Sequence, residues 1–424
     1  MIIIQAVNNN HSYHPRALAA SVEAALKAHP VVVLSGTRQT GKTTLTQHLP
    51  SASTRLFQTL DDLDVLELAR KRPHDLLARG PRLTLDEVQR VPELLLAIKK
   101  TVDQSRQRGQ FLLTGSANLL LMHQVADSLT GRAVYLLLSP FTGGEKRGEG
   151  AVPPWSQVLV CKSATDAVDL LNSFPVPQVE WTTEVLRGGM PPAVLAETTQ
   201  ERALWFDGFV RTYLERDLRE VSQVSALPDF RRLMQLTVHR LGQLVNQTEL
   251  GRDAGLAQAT THRYLNLLET TFQLHRLPPF AANATKRLIK TPKLYWADTG
   301  LAAHLAGLTD PREVHASRLA GALLENLLFS AFLAWRETVQ PKPEIFYWRT
   351  AGGAEVDFVI ERGPKLLPLE IKTARQITLH DLRHLEIFLT DYAKRAAWGA
   401  VLHNTDRARL MTRTIASLPI AAFL

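Results

Sequence analysis

The stretch GTRQTGKT, residues 36 to 43, constrains the fold of this chain more than any other feature. It matches the pattern GxxxxGKT at every fixed position, and the apolar run that precedes it, residues 31 to 34, is typical of a buried strand. In such a loop the glycines let the backbone N–H groups turn inwards, and the helix that follows presents its positive N-terminal end. The sequence therefore predicts a phosphate-binding loop between a strand and a helix.

This loop supplies the candidate nucleotide-binding residues. We expect Lys42 to reach the β- and γ-phosphate oxygens and the Thr43 hydroxyl to bind Mg²⁺. ATP and Mg²⁺ are thus the expected cofactors. The full candidate set is Gly36, Thr37, Arg38, Gln39, Thr40, Gly41, Lys42, Thr43 and Thr44.

Hydrolysis also needs an acid that holds Mg²⁺ and a base that orients water. The segment RLTLDEVQRV offers both, because residues 82 to 85 have the pattern of a second buried strand and are followed by Asp86 and Glu87. Asp86 is the candidate Mg²⁺ ligand and Glu87 the candidate base. In the alternative interpretation, the two carboxylates only cap the helix that follows.

A third apolar strand, in QFLLTGSANLL at residues 110 to 120, ends in small polar side chains. We select Ser116 first and Thr114 second as the side chain that contacts the γ-phosphate or the attacking water. The alternative is that Ser116 caps a helix that begins near Ala117, because serine is a favoured N-cap residue.

Composition limits the class of protein. A chain of 424 residues is too long for a single core and corresponds to about three domains. No apolar run approaches the roughly 18 residues of a membrane-spanning helix, the N-terminus lacks the features of a signal peptide, and Cys161 is the one cysteine. We therefore predict a cytoplasmic protein without a membrane segment or an intrachain disulfide.

The excess of positive charge is local. Lys and Arg number 49 against 41 Asp and Glu, which gives a net charge of +8. Between Arg231 and Lys290 there are nine basic residues against three acidic ones, a local excess of +6. This segment is the best candidate for contact with a polyanion, although on charge alone a solvated helix face is an equally good interpretation.

Six motifs resemble those of the AAA+ ATPases, and within them the bacterial and archaeal group whose P-loop domain precedes a C-terminal domain of unknown function of the DUF4143 type. In chain order they are GTRQTGKTTL, LDEVQ, LLTGSANLL, LTGRAVYLLLSPFTGGE, LRGGMPP and TYLERDL. The resemblance implies an α/β domain with a parallel sheet, a central P-loop strand and a polar sensor at Ser116 or Thr114. It also implies an arginine-dependent site completed between subunits, and hence a homo-oligomer, which we expect to be a hexamer.

Three arginines are candidates for the residue that completes this site. Arg132 precedes the apolar run AVYLLL, whereas Arg211 and Arg216 lie in WFDGFVRTYLERDL, where aromatic and leucine residues recur at helical spacing. We favour Arg216 for contact with the γ-phosphate, in cis or in trans. An arginine finger of this kind adds large rate factors but is hard to locate by spacing. The alternative for Arg216 is a structural ion pair with Asp217.

The remaining pattern divides the chain into four parts. We predict an AAA+ domain at residues 1–180 and a helical lid at residues 181–230. A winged helix-turn-helix at residues 231–285 and a restriction-endonuclease-like α/β domain at residues 286–424 follow. A stretch rich in Gly and Pro near the end of the first domain is either a surface insertion or the exit of that domain.

The helix-turn-helix prediction rests on two short helical patterns separated by a turn at Gly255. Arg263, on the second helix, is the candidate contact to a phosphate or a base. The residues expected to project from that helix are Gln258, Thr260, Thr261, His262 and Arg263. Nucleic acid, and DNA in particular, is therefore a candidate partner, although many such helix pairs in AAA+ lids bind no DNA.

A second group of charged residues has the pattern of a catalytic site. EIFYWRT and AEVDFVIE read as a hairpin, and KLLPLEIKTA reads as a third strand, which would place Asp357 beside Glu370 and Lys372. This spacing, D and then ExK, resembles that of the restriction-endonuclease-like nucleases, in which two carboxylates bind Mg²⁺ and a lysine assists. Glu325, in the middle of an apolar helix, completes the candidate nuclease site.

Asp357 lies in EVDFVI rather than after a proline, a departure that does not remove the resemblance. The alternative is a surface hairpin whose charges simply face water, because carboxylates beside strands are frequent. Cores of this type also degenerate into modules that hold DNA. The leading hypothesis is an ATP-hydrolysing protein that acts on nucleic acid and has a nuclease-like C-terminal domain. The alternative is an ATP-gated DNA-binding or signalling switch whose C-terminal domain binds but does not cleave.

Overall fold

A computed structural model describes residues 13–116, 129–212, 227–281 and 291–424. Its first part is a sheet flanked by helices α1 (Ala19–Ala28), α2 (Lys42–His48), α3 (Leu63–Lys71), α4 (Pro73–Leu77) and α5 (Leu94–Ser105). The strands are β1 (Val31–Ser35), β2 (Leu56–Thr59), β3 (Leu83–Asp86), β4 (Phe111–Gly115) and β5 (Ala133–Leu137). Within the described ranges, no helix is long and apolar enough to cross a membrane.

The five strands are all parallel and lie in the order β2-β3-β4-β1-β5. The predicted α/β class and the parallel sheet are thus confirmed; β1 is an interior strand, and β4 is the middle one of the five. Side chains alternate along β1, so that Val31 and Val33 enter one buried cluster and Val32 and Leu34 enter another. A strand buried on both faces needs a continuous apolar run, which is why β1 is recognisable from the sequence.

Residues 142 to 212 form a helical region. Its helices are α6 (Gly143–Lys146), α7 (Trp155–Val158), α8 (Ala164–Asn172), α9 (Trp181–Arg187), α10 (Pro191–Val194) and α11 (Thr199–Thr212). Of the two interpretations of the Gly- and Pro-rich stretch, a surface insertion is wrong at Trp155, which is fully buried and stacks on Phe423 with ring centroids 4.0 Å apart. Burial of so large an aromatic side chain anchors the stretch to the core.

The predicted helix pair is present in the next region. The elements are α12 (Leu227–Val238), α13 (Gln247–Ala254), α14 (Gln258–Thr270) and the antiparallel strands β6 (Leu274–Leu277) and β7 (Lys293–Trp296). Gly255 ends α13 with a φ of 68°, a left-handed conformation that glycine adopts without strain. The turn between α13 and α14 is therefore at the predicted residue.

The C-terminal part contains a mixed sheet of six strands in the order β12-β13-β11-β10-β9-β8. The strands are β8 (Glu344–Arg349), β9 (Glu355–Arg362), β10 (Lys365–Lys372), β11 (Gly399–His403), β12 (Arg409–Leu410) and β13 (Ile415–Pro419). The helices are α15 (Thr299–Leu305), α16 (Pro311–Ala316), α17 (Ala320–Thr338) and α18 (Arg383–Asp391). The predicted hairpin, β8 with β9, and the predicted third strand, β10, are both present.

One buried cluster joins the parts that follow the parallel sheet. It extends from Trp155 to Leu424 and takes in side chains from the predicted lid, from the helix-turn-helix region and from one face of the C-terminal sheet. Helix α17 contributes Leu323, Leu328 and Phe332, each with no exposed surface. These parts therefore share a single hydrophobic core.

Candidate functional site

The phosphate-binding loop joins β1 to α2 at the carboxyl end of the parallel sheet. Gly36 is required there because a Cβ at this position would lie 2.4 Å from the carbonyl oxygen of Leu138. Gly41 has a φ of +87°, which glycine adopts readily and other residues rarely do. The path of the loop therefore depends on these two glycines, and α2 begins directly after it at Lys42.

Lys42 is enclosed by the loop that precedes it. Its side chain is buried, and its ammonium donates to the carbonyl oxygens of Gly36 at 3.0 Å and Thr37 at 2.8 Å. Thr40 donates from its hydroxyl to the Thr37 carbonyl at 2.8 Å. Within the part of the chain that the structure describes, the buried Thr37 hydroxyl has no hydrogen-bond partner. A buried ammonium and an unpartnered hydroxyl in a glycine-rich loop fit the phosphate groups of a nucleotide.

Arg16 holds the phosphate-binding loop from outside the motif. Its buried guanidinium donates to the carbonyl oxygens of Thr40 at 2.7 Å and Ser139 at 2.6 Å, and it pairs with Glu145 at 3.1 Å. The planar guanidinium can make such a set of contacts at once because its donors are fixed in a fork. Sequence reasoning missed Arg16, since its partners are distant in the chain and no local pattern marks it.

Thr43 and Asp86 form the candidate metal position. The Thr43 hydroxyl lies 3.1 Å and 3.0 Å from the two carboxylate oxygens of Asp86. Asp86 is buried, and the Thr114 hydroxyl at the end of the neighbouring strand β4 donates to it. Hydroxyl and carboxylate oxygens are the ligands that Mg²⁺ prefers. The two residues therefore fit the metal role expected of them.

Glu87 lies beside this pair in an unusual backbone conformation. Its φ of 58° is uncommon for a residue with a side chain. Its backbone N–H donates to the Thr114 hydroxyl at 3.3 Å, and its carboxylate accepts from the Gln89 amide and from the Ser116 hydroxyl, the latter at 3.5 Å. Gln89 also donates to Ser116 at 3.0 Å. Such backbone outliers persist where surrounding contacts fix them, and they are frequent at active sites.

The two sensor candidates thus have different partners. Thr114 contacts Asp86, whereas Ser116 contacts Glu87. Gln89 is a further candidate that the motif LDEVQ did not reveal on its own. Its position two residues after Glu87 is the signal that could have identified it.

Two of the three candidate arginines fall within the described residues. Arg132 pairs with Asp103, with Nε and Oδ1 2.5 Å apart, and it directly precedes β5. Because β5 runs parallel to β1, its start lies at the opposite end of the sheet from the loop that follows β1. Arg132 therefore cannot contact a γ-phosphate bound to its own chain. Arg211 is exposed in the last turn of α11, and Arg216 lies outside the described residues.

Helix α14 presents Arg263 to solvent. The Arg263 guanidinium lies 5.4 Å from the ring centroid of Tyr264. The expectation that Thr261 also projects from this helix is wrong, because Thr261 has no exposed surface. It faces α13, where a Cβ on Gly251 would lie 2.6 Å from the Thr261 hydroxyl. The close packing of the two helices therefore explains why the Thr261 side chain is buried.

Ion pairs neutralise part of the local charge in this region. Arg240 pairs with Asp253 at 2.8 Å, and Arg276 pairs with Glu269 at 3.0 Å. Both pairs are partly exposed, so they stabilise the fold only slightly. Asp253 and Glu269 are two of the three acidic residues already subtracted in the local excess of +6, so these pairs leave that excess unchanged.

The hairpin of β9 and the adjoining strand β10 bring the predicted catalytic residues together. Their antiparallel pairing puts Glu370 beside Asp357. Lys372 donates to one carboxylate oxygen of Glu370 at 2.8 Å, and the backbone N–H of Ile371 donates to Asp357 at 2.8 Å. Glu370 is 5% exposed, and its second oxygen, Oε2, has no partner among the described residues.

Lys293 enters the same cluster from β7. Its side chain is 3% exposed, and its Nζ lies 2.5 Å from Glu355, 3.9 Å from Asp357 and 4.0 Å from Glu325. Tyr295, two residues further along β7, donates from its hydroxyl to Glu325 at 3.0 Å. Sequence reasoning missed both residues, because no recognisable motif marks the short strand that carries them.

Burial is the largest influence on the pKa values of the carboxyl groups in this cluster. Burial and the neighbouring Asp357 carboxylate raise the pKa of Glu325 to about 8 and the pKa of Glu370 to about 8. Burial also raises the pKa of Asp357 itself. For Lys293, burial acts to lower the pKa, but the surrounding carboxylates more than offset this and the pKa is raised.

As folded, the cluster does not fit a divalent metal ion. The described ranges contain no group of three or more His, Cys, Asp or Glu side chains that could hold one. The Lys293 ammonium lies among the carboxylates that would have to do so. The predicted residues Glu325, Asp357, Glu370 and Lys372 therefore converge, but the expected metal ligation is not met by this arrangement.

Three family models match successive parts of the chain. An AAA domain matches residues 28–146. A domain of unknown function (DUF8612) matches residues 178–312, and a domain of unknown function (DUF4143) matches residues 320–423. The first match contains the whole nucleotide site except Arg16, and the third contains Glu325, Asp357, Glu370 and Lys372 but not Lys293.

Relatives cover nearly the whole chain. An uncharacterized protein of Mycobacterium tuberculosis is 33% identical over 405 residues, which are 95% of this chain and 83% of that protein. An uncharacterized protein of Haemophilus influenzae is 20% identical over 300 residues, which are 70% of this chain and 67% of that protein. Among solved structures, the Walker-type ATPase of Pyrococcus abyssi aligns with a TM-score of 0.42 at 15% identity and covers 69% of this chain and 99% of that one. With its AAA domain, its phosphate-binding loop and its C-terminal match, the chain belongs to the family of AAA+ P-loop ATPases that carry a DUF4143 domain.

Proposed function

We propose that this chain binds ATP with Mg²⁺ and hydrolyses it. The observation that carries the proposal is the contact of Asp86 with both Thr43 and Thr114, directly beside Glu87. It combines oxygen ligands for a metal with a carboxylate that can accept a proton, at the end of the sheet where the phosphate-binding loop lies. This is the arrangement that phosphoryl transfer to water requires.

Each residue then has a defined role. The loop and Lys42 bind the β- and γ-phosphates, and Thr43 and Asp86 hold Mg²⁺, which when bound neutralises charge on the phosphate oxygens. Glu87 orients the attacking water and accepts its proton. Gln89 and Ser116 keep the Glu87 carboxylate in position through their hydrogen bonds.

Phosphate release and nucleotide binding, measured on the same protein, test this proposal. Glu87→Gln should abolish ATP turnover and still bind ATP, because Lys42, Thr43 and Asp86 are unchanged. Lys42→Ala should lose both. Turnover by Glu87→Gln at the wild-type rate would remove Glu87 from the mechanism.

We further propose that nucleic acid, and DNA first, is the partner on which ATP hydrolysis acts. The support is the exposed Arg263 on the second helix of a helix-turn-helix, within a segment that carries a local charge excess. Fluorescence anisotropy with duplex DNA should show binding that weakens steeply with salt, because each neutralised phosphate releases a counterion. Arg263→Ala should reduce affinity more than the control Arg252→Ala, a change of an exposed arginine on α13. Equal affinities for both variants and the wild type would contradict a DNA contact through α14.

A second candidate function is cleavage of nucleic acid at the C-terminal cluster. The observation that favours it is the convergence of Asp357, Glu370 and Lys372 on two adjacent strands. Incubation of supercoiled plasmid with the full chain and Mg²⁺ or Mn²⁺ tests it, with Asp357→Ala as the control. Nicking that Asp357→Ala abolishes would support cleavage. DNA binding without nicking would leave the alternative, an ATP-gated switch whose C-terminal domain binds but does not cleave.

A further inference from the structure

The cluster around Asp357 contains more acidic than basic side chains. Helix α17 and strands β9 and β10 contribute four carboxyl groups to it, and β7 and β10 contribute two ammonium groups, while the Arg349 guanidinium of β8 pairs with Glu355 at 3.4 Å. The members are Glu325, Glu355, Asp357, Glu370, Lys293 and Lys372. Such a group of carboxylates attracts a cation, and the question is which cation it holds.

Lys293 has the position of that cation. Its Nζ is 2.5 Å from Glu355 and about equally far from Asp357 and Glu325, at 3.9 Å and 4.0 Å. Its ammonium also lies 5.5 Å from the ring centroid of Tyr347. Lys372 differs, since it reaches Glu370 from a position that is one-third exposed. Lys293 is therefore the inner cation and Lys372 the outer one.

The backbone around Lys293 is fixed on both sides. Strand β7 pairs with β6 in antiparallel fashion, with Leu277 opposite Lys293. On its other side Gly242 donates from its backbone N–H to the Leu294 carbonyl at 3.0 Å. Gly242 has a φ of +65°, and a Cβ there would lie 2.9 Å from Glu325. The strand that carries Lys293 is thus held against the cluster by hydrogen bonds, and the positive φ of Gly242 favours glycine where the backbone approaches Glu325.

Glu370 shows that the cluster has unused capacity for a cation. Its Oε2 atom is buried and has no partner among the described residues, although its other oxygen accepts from Lys372. A buried carboxylate oxygen without a donor is unfavourable, and a metal ion, a repositioned ammonium or the proton that the raised pKa of Glu370 retains below about pH 8 would satisfy it. Asp357, on the neighbouring strand, is the second ligand that such an ion would use.

We infer that Lys293 is the resident cation of this cluster and that a divalent metal ion binds to Asp357 and Glu370 only when the Lys293 ammonium is removed or withdrawn. The physical reason is exclusion at Asp357, the carboxylate that the two positions share, because a second cation bound there would be repelled by the Lys293 ammonium, which lies 3.9 Å from Asp357. The inference deepens the candidate nuclease function, on which its biological meaning rests, because it identifies the residue that controls metal entry to that site.

Mn²⁺ binding to the full chain without nucleotide tests the inference. Free Mn²⁺, followed by its electron paramagnetic resonance signal, gives the number of ions bound per chain. Lys293→Met should bind one more ion than the wild type, and Lys293→Met combined with Glu370→Gln should lose it again. Lys342→Met is the matched control, because Lys342 pairs with Glu337 at 2.7 Å outside the cluster, and it should bind the same number as the wild type.

Two results would overturn the inference. One is a folded Lys293→Met protein that binds no additional Mn²⁺. The other is a wild-type chain that binds one more Mn²⁺ than Glu370→Gln, and this comparison remains decisive if Lys293→Met does not fold. All variants keep Thr43 and Asp86, so any Mn²⁺ ion bound there adds equally to each count and does not affect the difference between variants. The readout is occupancy rather than cutting, so failure of the nicking assay and failure of this inference are distinguishable.

Discussion

The carboxylate of Glu337 accepts a hydrogen bond from the backbone N–H of Leu137 at 3.0 Å. Leu137 ends β5, the edge strand of the parallel sheet, and the next residue, Leu138, lies against Gly36 of the phosphate-binding loop. Glu337 lies near the end of α17, the helix that also carries Glu325. The two glutamates are twelve residues apart in sequence, which corresponds to about 18 Å of helix. A single helix thus contacts both the C-terminal cluster and the strand that borders the nucleotide site.

Removal of this contact should affect stability and ATP turnover together. Glu337→Ala leaves the Leu137 N–H and Lys342 without their partner, which should cost about 1–3 kcal/mol of unfolding free energy. Because β5 adjoins the phosphate-binding loop, we also expect an increased KM for ATP. Thermal unfolding and steady-state kinetics measure the two effects. The control is Glu344→Ala, an exposed glutamate that pairs with Arg336, and an equal effect of both variants would contradict a specific role for Glu337.

Substitution of the two sensor candidates should change the Mg²⁺ dependence of ATP turnover to different extents. Thr114→Val removes the hydroxyl that donates to Asp86, so we expect the Mg²⁺ concentration for half-maximal ATP turnover to rise. Ser116→Ala leaves Asp86 untouched and should lower kcat with little change in Mg²⁺ dependence, because Ser116 contacts Glu87. Titration of Mg²⁺ at saturating ATP measures both. If ATP turnover depends on Mg²⁺ concentration in the same way in both variants, the contact of Thr114 with Asp86 does not affect Mg²⁺ binding.

Arg132 should behave as a structural residue. Its ion pair with Asp103 is exposed to solvent, which screens the interaction, so the pair contributes little to stability. We therefore expect Arg132→Ala and Asp103→Ala to reduce ATP turnover equally and slightly. A loss on the order of 10³-fold for Arg132→Ala alone would instead identify it as an arginine finger that acts in trans. In the expected case, Arg211 and Arg216 remain the candidates.

The resemblance to AAA+ ATPases implies a nucleotide site that neighbouring subunits complete, and such a site requires self-association. We expect Glu87→Gln with ATP and Mg²⁺ to form a homo-oligomer, with six subunits as the expected number, since a repeated head-to-tail contact that closes produces a ring. Light scattering coupled to gel filtration measures the mass. The nucleotide-free protein serves as the reference. A monomer in the presence of ATP would reject both the oligomer and an arginine that acts in trans.

The stability of the chain should depend on pH through Glu370. Burial raises the pKa of Glu370 from 4.5 to about 8 in the folded chain. Between these values the folded state binds more protons than the unfolded state, so the free energy of unfolding falls as pH rises and levels off above about pH 8. The Tm should therefore be lower at pH 8.5 than at pH 5. Glu370→Gln should reduce this difference, whereas Glu344→Gln should leave it unchanged; a Glu370→Gln protein with the full wild-type difference would contradict the assignment.

The nucleotide site could be predicted from sequence because its signals are local. The loop is contiguous, and Asp86, Glu87 and Thr114 lie at or just beyond the ends of apolar strands that the hydrophobic pattern reveals. The hairpin that carries Asp357 was recognisable for the same reason. Strand β2 was not, because it lies at the sheet edge and none of its residues is buried, so it lacks a continuous apolar run.

Residues that act across long sequence separations could not be predicted. Arg16 belongs to the nucleotide site only because the fold brings it against Thr40 and Ser139. Lys293 belongs to the C-terminal cluster only because β7 packs against it. Thr261 shows the opposite error, since a polar side chain at helical spacing looks exposed in sequence but is covered by the neighbouring helix. In all three cases, the surroundings of the side chain depend on packing between elements and not on the pattern within one element.

The location of Lys293 has a consequence for any attempt to divide this protein. The C-terminal family match begins at residue 320, whereas Lys293 belongs to the preceding match. A fragment that begins at residue 320 would keep Glu325, Asp357, Glu370 and Lys372 but lack the ammonium that lies among them. Its carboxylates would then be open to metal ions that the Lys293 ammonium, when in place, keeps out of the cluster. Metal affinity or DNA cleavage found only in such a fragment would therefore result from the truncation. It would not be a property of the intact chain.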